Sequence, residues 1–257
     1  MLNEFNTGLG SPSTLSVSIT WGVKDIDRSN IKDWDASDMG VLIWDDEFTV
    51  APEANQVALL EFCDFLKNES EIVKDNLVDC WIEKMDEFVR KETNNAQSLP
   101  ISDENEFTAF LLRFISEDPD GIDAYRQKKL GFVDVTEKTD DYDFPVKLQY
   151  MVIAALSIGD PKDSREFKLP IYEAWEAVLK DFSEKRAPQG LKTVYQVASF
   201  YWAWMESERA FFVNAIQGMI ISICFACIVI LLATRNWIIT LYAIHCVGFI
   251  CASEMAL

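Results

Sequence analysis

Two uncharged apolar runs near the carboxyl end constrain the fold of this chain more than any other feature. The first run covers residues 211–234 and the second covers residues 237–253, with Arg235-Asn236 between them. A helix of about 20 apolar residues crosses the hydrocarbon core of a bilayer. The first run is therefore long enough to span, and the second is marginal or cut short. We expect a protein with a membrane end.

This pattern divides the chain into two parts. We predict a folded domain over residues 1–205, followed by a transmembrane helical hairpin over residues 206–257. Its spans should cover about 208–234 and 237–257, with the second truncated. The uncharged stretch of the second run ends at Glu254.

The charged residues lie almost entirely outside the membrane end. All but one of the 23 Lys and Arg and all but one of the 42 Asp and Glu precede residue 211, so this part carries the net charge of −19. Its apolar content is too high for a disordered segment, which indicates one soluble domain. A nucleic acid partner is excluded because phosphate binding needs a basic stripe and the sequence has none. A solvated acidic surface is the simplest interpretation, although cations or a basic partner stay open.

The side of the membrane on which the domain lies is left open by the residues themselves. Residues 1–12 have neither the basic nor the apolar region of a secretory signal. A cytosolic domain would make the chain a tail-anchored adaptor whose acidic domain binds a basic partner. An external domain would require an earlier membrane helix, so that the chain is a piece of a larger protein. Lys192 and Arg209 before the first span, against Arg235 after it, favour the cytosolic side.

Alternating and helical apolar patterns predict the elements of the domain. Alternation from Leu15 to Val23 predicts a half-buried strand, and residues 24–48, rich in Asp and Trp, read as a surface excursion without regular structure. The helical spacing of apolar residues predicts four helices, and two further apolar stretches predict strands. The predicted helices run from Pro52 to near Asn68, over 77–89, over 107–114 and over 171–182, and the strands over 146–158 and 193–202.

The order strand, helices, strand, helix, strand indicates an α+β fold with helices on one face of an antiparallel sheet. A ferredoxin-like, split βαβ arrangement is the natural candidate for this order.

The domain lacks the residues of common catalytic sites. The one histidine, His245, lies in the second apolar run, so the domain has no Ser-His-Asp site and no histidine-based zinc site. Residues 118–121, Asp-Pro-Asp-Gly, read as a turn that lacks the spacing of a calcium loop. We therefore predict a non-enzyme without catalytic, cofactor-binding or metal-binding residues.

Two polar residues, one in the second run and one directly after it, are candidates for a role inside the membrane. Ionisable residues within spans are functional candidates by default, which singles out His245 and Glu254. A neutral His245 ring that hydrogen-bonds to an adjacent helix is an equally good interpretation. Glu254 lies either in the membrane or at its surface.

Two cysteines of the domain and one asparagine are candidates for modification. Cys63 and Cys80 lie 17 residues apart on predicted consecutive helices, and an antiparallel helix pair would let them form a disulfide outside the cell. Buried free thiols are the alternative. Asn68-Glu69-Ser70 is a glycosylation acceptor, which is informative only if the domain is lumenal.

Several short stretches resemble the second large extracellular domain and the following membrane helices of Dispatched-type proteins. These proteins are Patched-related members of the resistance-nodulation-division (RND) permease superfamily. The resembling stretches are Ile19-Thr20-Trp21-Gly22-Val23, Trp34-Asp35, Trp44-Asp45-Asp46-Glu47-Phe48, Phe62-Cys63, Cys80-Trp81, Ala233-Thr234-Arg235-Asn236-Trp237 and Thr240-Leu241-Tyr242-Ala243-Ile244.

The resemblance implies a twelve-helix, proton- or cation-driven permease that moves lipidic cargo, such as a sterol or a lipid-modified protein. The domain would be an extracellular or lumenal porter domain, in the plasma membrane or an endomembrane. The two runs would be the eighth and ninth membrane helices, and the turn at Arg235-Asn236 would be cytosolic. Its partners would be the bilayer, the remaining membrane helices and the first outer domain.

Part of the family pattern has no counterpart in this chain. The relay carboxylates of these permeases lie on the fourth and tenth membrane helices, and no residue here matches them. The resemblance therefore assigns no transport site to these residues.

Overall fold

A computed structural model describes residues 15–32, 38, 40–68, 70–134, 146–160, 162–197 and 199–255. For residues 134, 199–200, 247–248 and 250–255 it describes the backbone alone. The strands are β1 (Ser16–Trp21), β2 (Val23–Asp27), β3 (Val41–Trp44), β4 (Val73–Asp79), β5 (Leu130–Asp134), β6 (Val146–Ser157) and β7 (Val194–Val197). The helices are α1 (Glu53–Asn68), α2 (Trp81–Glu92), α3 (Glu104–Glu117), α4 (Pro119–Arg126), α5 (Arg165–Asp181), α6 (Ser199–Thr234) and α7 (Trp237–Met255).

Five strands form an antiparallel sheet with the order β4-β6-β1-β7, and β5 pairs with β6 beside β4. Strand β1 lies in the middle, where Ile19 is opposite Ile153 of β6 and Gln196 of β7. The prediction of an α+β fold with an antiparallel sheet is therefore confirmed.

Strand β1 is shorter and more deeply buried than its alternating sequence predicts. It ends at Trp21, because Gly22 has φ +92° and turns the chain into a second sheet. Ser18 and Thr20, predicted to face solvent, are only 4% and 3% exposed. Both faces of this strand are therefore covered, so the small polar side chains on the second face are buried as well as the large ones on the first.

The prediction that residues 24–48 lack regular structure is wrong for part of this range. Strands β2 and β3 pair in a separate two-stranded sheet, with Ile26 opposite Leu42 and Asp27 opposite Val41. The pattern was hidden because β2 is largely exposed and carries Asp and Lys among its apolar residues, and because the apolar run of β3 is only four residues long. The predicted position at the surface is correct for the described residues of this range, apart from the buried Phe48.

The second predicted helix begins later than its spacing suggests. Leu77 belongs to β4, where it is 46% exposed, and α2 starts only at Trp81. Asp75 and Asn76 have φ of 54° and 56°, which no helix interior allows, and they coincide with a register shift in β4. The rest of the predicted helical face is confirmed, because its members are buried: Trp81, Met85, Phe88 and Val89.

The predicted turn at residues 118–121 is instead the junction of two helices. Asp118 ends α3, and its carboxylate accepts a hydrogen bond from the N–H of Asp120 at 2.9 Å, which caps α4. Pro119 is the first residue of α4, where the missing N–H and fixed φ of proline are tolerated. Strand β5 follows and was not predicted.

Helices α1 and α5 cover one face of the sheet. The Trp21 ring of β1 lies edge-on to Phe62 of α1 at 5.8 Å and to Phe182 at the end of α5 at 6.1 Å, between ring centroids. Trp175 of α5 donates from its indole N–H to the Ser157 hydroxyl of β6 at 2.9 Å. Helix α1 runs close to its predicted bounds, from the residue after Pro52 to Asn68.

The last predicted strand, over residues 193–202, is wrong beyond Val197. Strand β7 ends there and α6 begins at Ser199, so the aromatic segment that resembled a strand is helical. The chain divides into two compact units between Ala203 and Trp204. The predicted boundary between residues 205 and 206 stays a prediction.

Candidate functional site

The apolar part of α6 is able to cross a membrane by its length and composition. It extends over Tyr201–Thr234, and none of the residues in its most apolar stretch is buried. At 1.5 Å per residue these residues extend about 51 Å, which exceeds a hydrocarbon core of about 30 Å. The rings of Phe211 and Phe225 are 70% and 69% exposed. Among the described residues, α6 is the one helix that meets these criteria.

The break between α6 and α7 lies at Arg235-Asn236. Arg235 has φ +47°, and its N–H donates to the Leu231 carbonyl at 2.9 Å. The Asn236 side-chain oxygen accepts from the N–H of Ile238 at 3.0 Å, which caps the start of α7. The Thr240 hydroxyl donates to the Asn236 carbonyl at 3.0 Å. Local hydrogen bonds thus support the turn, and its cytosolic location stays a prediction.

The two polar candidates of the second apolar run both lie on α7. The His245 ring is exposed, and no hydrogen bond joins it to a side chain in the part of the chain that the structure describes. Glu254 is helical, but its side chain is outside the described part. The apolar stretch with described side chains covers Trp237–Cys246, which is too short to span alone. The roles of these two residues stay predictions.

Cys63 and Cys80 form a disulfide inside the domain. Their Cα atoms are 6.3 Å apart, within the usual range for this bond. Cys63 is fully buried on α1, and Cys80, directly before α2, is 2% exposed. Strand β4 lies between the two in the chain, so the bond ties α1 to the start of α2 rather than joining two consecutive helices.

Removal of this bond should destabilise the domain. In the double variant Cys63→Ala/Cys80→Ala, we expect the free energy of unfolding to fall by about 3 kcal/mol, because the bond closes a short loop in the unfolded chain. Urea unfolding followed by tryptophan fluorescence measures this loss. Cys224→Ala is the matched control, because Cys224 is an exposed free thiol of α6. Equal urea midpoints for the double variant and wild type would contradict a structural bond.

The glycosylation acceptor lies at the surface where α1 ends. Asn68 is exposed, and its side-chain amide donates to the carboxylate of Asp64 at 2.6 Å. The backbone N–H of Ser70 donates to the Phe65 carbonyl at 3.0 Å, which continues the end of the helix. Glu69 is outside the described residues, as are Trp34 and Asp35 of the resemblance. The position of Asn68 leaves room for a glycan.

A cluster of charged residues joins α2 and α4 to the sheet. The Lys129 ammonium, before β5, forms an ion pair with the Asp79 carboxylate at the end of β4, and their side chains are 6% and 14% exposed. Lys84 of α2 also reaches Asp79, at 2.9 Å, and contacts Asp120 of α4 at 3.3 Å. Burial alone would raise the pKa of Asp79, but hydrogen bonds and positive charge from Lys129 and Lys84 outweigh it and lower that pKa.

The chain matches no family model and no curated protein sequence.

Sequence reasoning missed the charge cluster and had no means of finding it. Asp79 and Lys129 are 50 residues apart, in a segment where acidic and basic residues are frequent. Only the pairing of β4 and β5 with the same strand, β6, brings these two side chains together. The cluster consists of two Lys and two Asp residues, which is typical of a structural ion-pair network. Lys84 bridges its two carboxylates, Asp79 and Asp120.

Proposed function

We propose that this chain is part of a multi-pass RND-type permease similar to Dispatched and Patched. In this proposal residues 1–205 form an extracellular or lumenal porter domain, and residues 206–257 supply two spans joined by a cytosolic turn. The complete protein would lie in the plasma membrane or an endomembrane. It would move a lipidic cargo such as a sterol or a lipid-modified protein.

The observation that carries the proposal is the strand order of the domain. Without the separate β2-β3 pair and the segment between β4 and β6, the elements follow the chain order β1-α1-β4-β6-α5-β7. In the sheet these strands lie in the order β4-β6-β1-β7, with all neighbours antiparallel. Strand β6 thus separates β1 from the parallel strand β4, and β1 separates β6 from the parallel strand β7. This order supports two interleaved split βαβ units, the ferredoxin-like arrangement.

A fold alone does not assign a function, so its connection to the apolar helix matters. Strand β7 ends at Val197, and the helix with a span-length apolar segment begins at Ser199. An outer domain with a ferredoxin-like fold that leads directly into a membrane helix is what the resemblance implies. The second span, and with it a multi-pass protein, is part of the proposal.

Two further observations favour an external position for the domain. A buried disulfide between Cys63 and Cys80 is typical of oxidising compartments and rare in the cytosol. The net charge of −19 repels anionic headgroups, which are concentrated on the cytosolic leaflet. The count of cations around the first span favours the cytosolic side, but it rests on only Lys192, Arg209 and Arg235. It weighs less because earlier spans also determine the orientation of a membrane protein.

Protease protection in sealed native vesicles tests this topology. We expect an antibody against the domain to detect a protected fragment that contains residues 1–205 after external protease, because the lumenal side is shielded. Detergent should abolish this protection. Complete digestion without detergent would place the domain in the cytosol and favour the tail-anchored adaptor.

Glycosylation of the full-length product of the gene gives an independent measurement. Ser70→Ala should abolish a glycosidase-sensitive mobility shift at Asn68, and Ser70→Thr should preserve it, because the acceptor requires Ser or Thr at this position. These variants are well matched, because the Ser70 hydroxyl is buried and makes no hydrogen bond to the described residues. A mobility shift that Ser70→Ala leaves unchanged would contradict glycosylation at Asn68.

A further inference from the structure

The small sheet of β2 and β3 exposes aliphatic side chains on one of its faces. Asp25 is opposite Ile43 and Asp27 is opposite Val41, so these four side chains share a face, which we call the outer face. Val41 is 70% exposed and Ile43 is 42% exposed. The outer face therefore combines exposed aliphatic groups from β3 with carboxylates from β2.

The opposite face of this sheet lies against the domain. Trp44 alternates with Ile43 along β3, and its ring stacks on Tyr150 of β6 with 5.9 Å between the ring centroids. Leu42, on the same face as Trp44, is half-buried. These contacts hold β3 in place and leave the outer face directed to solvent.

One edge of this sheet is open. The Lys24 carbonyl of β2 accepts a hydrogen bond from the Tyr195 hydroxyl of β7 at 2.7 Å, so the β2 edge is joined to the large sheet. Within the described residues, β3 pairs with no strand other than β2. Its sequence, Val-Leu-Ile-Trp, has neither the charge nor the proline that commonly protects an edge strand from pairing. A two-stranded sheet is marginally stable by itself, so a third strand would stabilise it.

Carboxylates lie around this open edge. Asp45 and Asp46 follow β3 directly, and Asp25 and Asp27 lie beside it on β2. None of the four forms an ion pair with the residues that the structure describes. Burial, together with the negative charge of Asp25 and Asp45, raises the pKa of the Tyr195 hydroxyl, so these two carboxylates act on the same part of the surface. This surface attracts cations and repels a second copy of the chain, which carries the same carboxylates and a net charge of −19.

We propose that the open edge of β3 binds an extended segment of a partner protein in which Lys or Arg alternates with an aliphatic residue. Main-chain hydrogen bonds would add this segment to the sheet as a third strand. Strands are spaced by about 4.8 Å, so the third strand would lie about 10 Å from β2. A Lys on its outer face would cover Val41 and Ile43 with its methylene stem while its ammonium reaches Asp25 or Asp27. The aliphatic residues of the segment would alternate to the other face, beside the domain.

This binding belongs to the domain alone and does not depend on the side of the membrane that the domain occupies. Its failure would therefore leave the proposed permease standing. A cytosolic domain would in turn leave the strand-binding edge standing.

Binding of a fluorescent peptide to the full chain in dodecyl maltoside micelles tests the proposal. The probe is a capped heptapeptide of alternating Lys and Val, and fluorescence anisotropy measures its dissociation constant against empty micelles. We expect this peptide to bind and a peptide of alternating Glu and Val not to bind. A Lys-Val peptide that is N-methylated at every backbone amide keeps its charges but cannot donate to a strand. It should bind at least about tenfold more weakly.

A variant of β3 tests the edge itself. Val41→Lys should abolish binding, because it places a cation at the open edge that repels the peptide. Phe167→Lys is the matched control and should bind as wild type does, because Phe167 is an apolar residue of α5 that is 68% exposed. Circular dichroism establishes that both variants are folded.

Charge variants test the acidic part of the surface. Asp25→Asn/Asp27→Asn should weaken peptide binding about fivefold, because two ion pairs with the peptide are lost. Glu87→Gln/Glu173→Gln removes two exposed carboxylates elsewhere on the domain and should leave binding unchanged.

Three outcomes would overturn the proposal. Equal binding of the Lys-Val peptide and its N-methylated form, or binding that persists in Val41→Lys, would reduce the interaction to general charge attraction. Absence of binding would remove the partner segment. A chain that sediments as a dimer, and that Val41→Lys converts to a monomer, would assign the edge to a second copy instead.

Discussion

Gly22→Val should prevent the domain from reaching its native fold. Gly22 has φ +92°, a conformation that side chains with a Cβ rarely adopt. A Cβ atom there would lie 2.2 Å from the Gln149 carbonyl oxygen and 2.7 Å from the Tyr150 Cα atom. Both contacts are with the backbone of β6, which cannot move without breaking its pairing with β1. We expect a loss of more than about 4 kcal/mol, the range reached by buried steric conflicts.

Gly22 also connects the two sheets, which explains why no nearby adjustment relieves this conflict. Its carbonyl accepts from the N–H of Asp45 at 2.9 Å, directly after β3, while Trp21 before it pairs with Met151 of β6. A shift of residue 22 away from β6 would therefore break the contact with the β2-β3 sheet.

Thermal unfolding of the purified chain, followed by near-ultraviolet circular dichroism, measures the effect. Gly218→Ala is the control, because a Cβ at Gly218 meets no atom within 4 Å. It should unfold with the domain signal of wild type. A Gly22→Val chain with a wild-type transition would show that the close approach of residue 22 to β6 is not required.

The elements that sequence reasoning found are those with a repeating apolar face. β1 and β6 were predictable from alternation or a continuous apolar run, and α1, α2 and α5 from helical spacing. Ser18 and Thr20 were misjudged because polarity was equated with exposure. Both faces of β1 are covered in the fold, and this tertiary environment decides the burial of its side chains instead.

The missed elements are short or carry residues that usually break regular structure. In β4, Asp75 and Asn76 adopt positive φ and interrupt the strand. In β5, Gly131 lies against the Tyr150 ring, where a Cβ would meet it at 1.9 Å, so its role depends on β6. Pro119 was interpreted as a turn residue, although proline is equally suited to the first position of a helix. Only tertiary contacts distinguish these alternatives.

The candidate sites also differ in whether a local sequence pattern or only a tertiary contact reveals them. Cys63, Cys80 and Asn68 were identifiable because each is a residue type with one main chemistry at a recognisable spacing. The Asp79–Lys129 pair was hidden because it joins segments that only the sheet brings together.

Asp79→Ala should destabilise the domain by about 3–5 kcal/mol, because it removes the carboxylate that pairs with the buried Lys129 ammonium. Lys84 also contacts the Asp79 carboxylate. Without that carboxylate, the two ammonium groups of Lys84 and Lys129 would repel each other. The double variant Asp79→Ala/Lys129→Met should recover most of this loss, since it removes both buried charges. Asp120→Ala is the control and should cost less than about 1 kcal/mol, because Asp120 is 61% exposed.

The pH dependence of unfolding distinguishes this charge effect from lost packing. Because Lys129 and Lys84 hold the pKa of Asp79 below its ordinary value of 3.8, the charged carboxylate stabilises the fold at neutral pH. This contribution is fully present above pH 3.8 and is lost as the pH falls through the folded-state pKa. Asp79→Asn imitates the protonated carboxyl, so the stability gap between it and wild type should narrow below pH 3.8. A gap of constant size across this range would assign the effect of Asp79 to its shape and hydrogen bonds rather than to its charge.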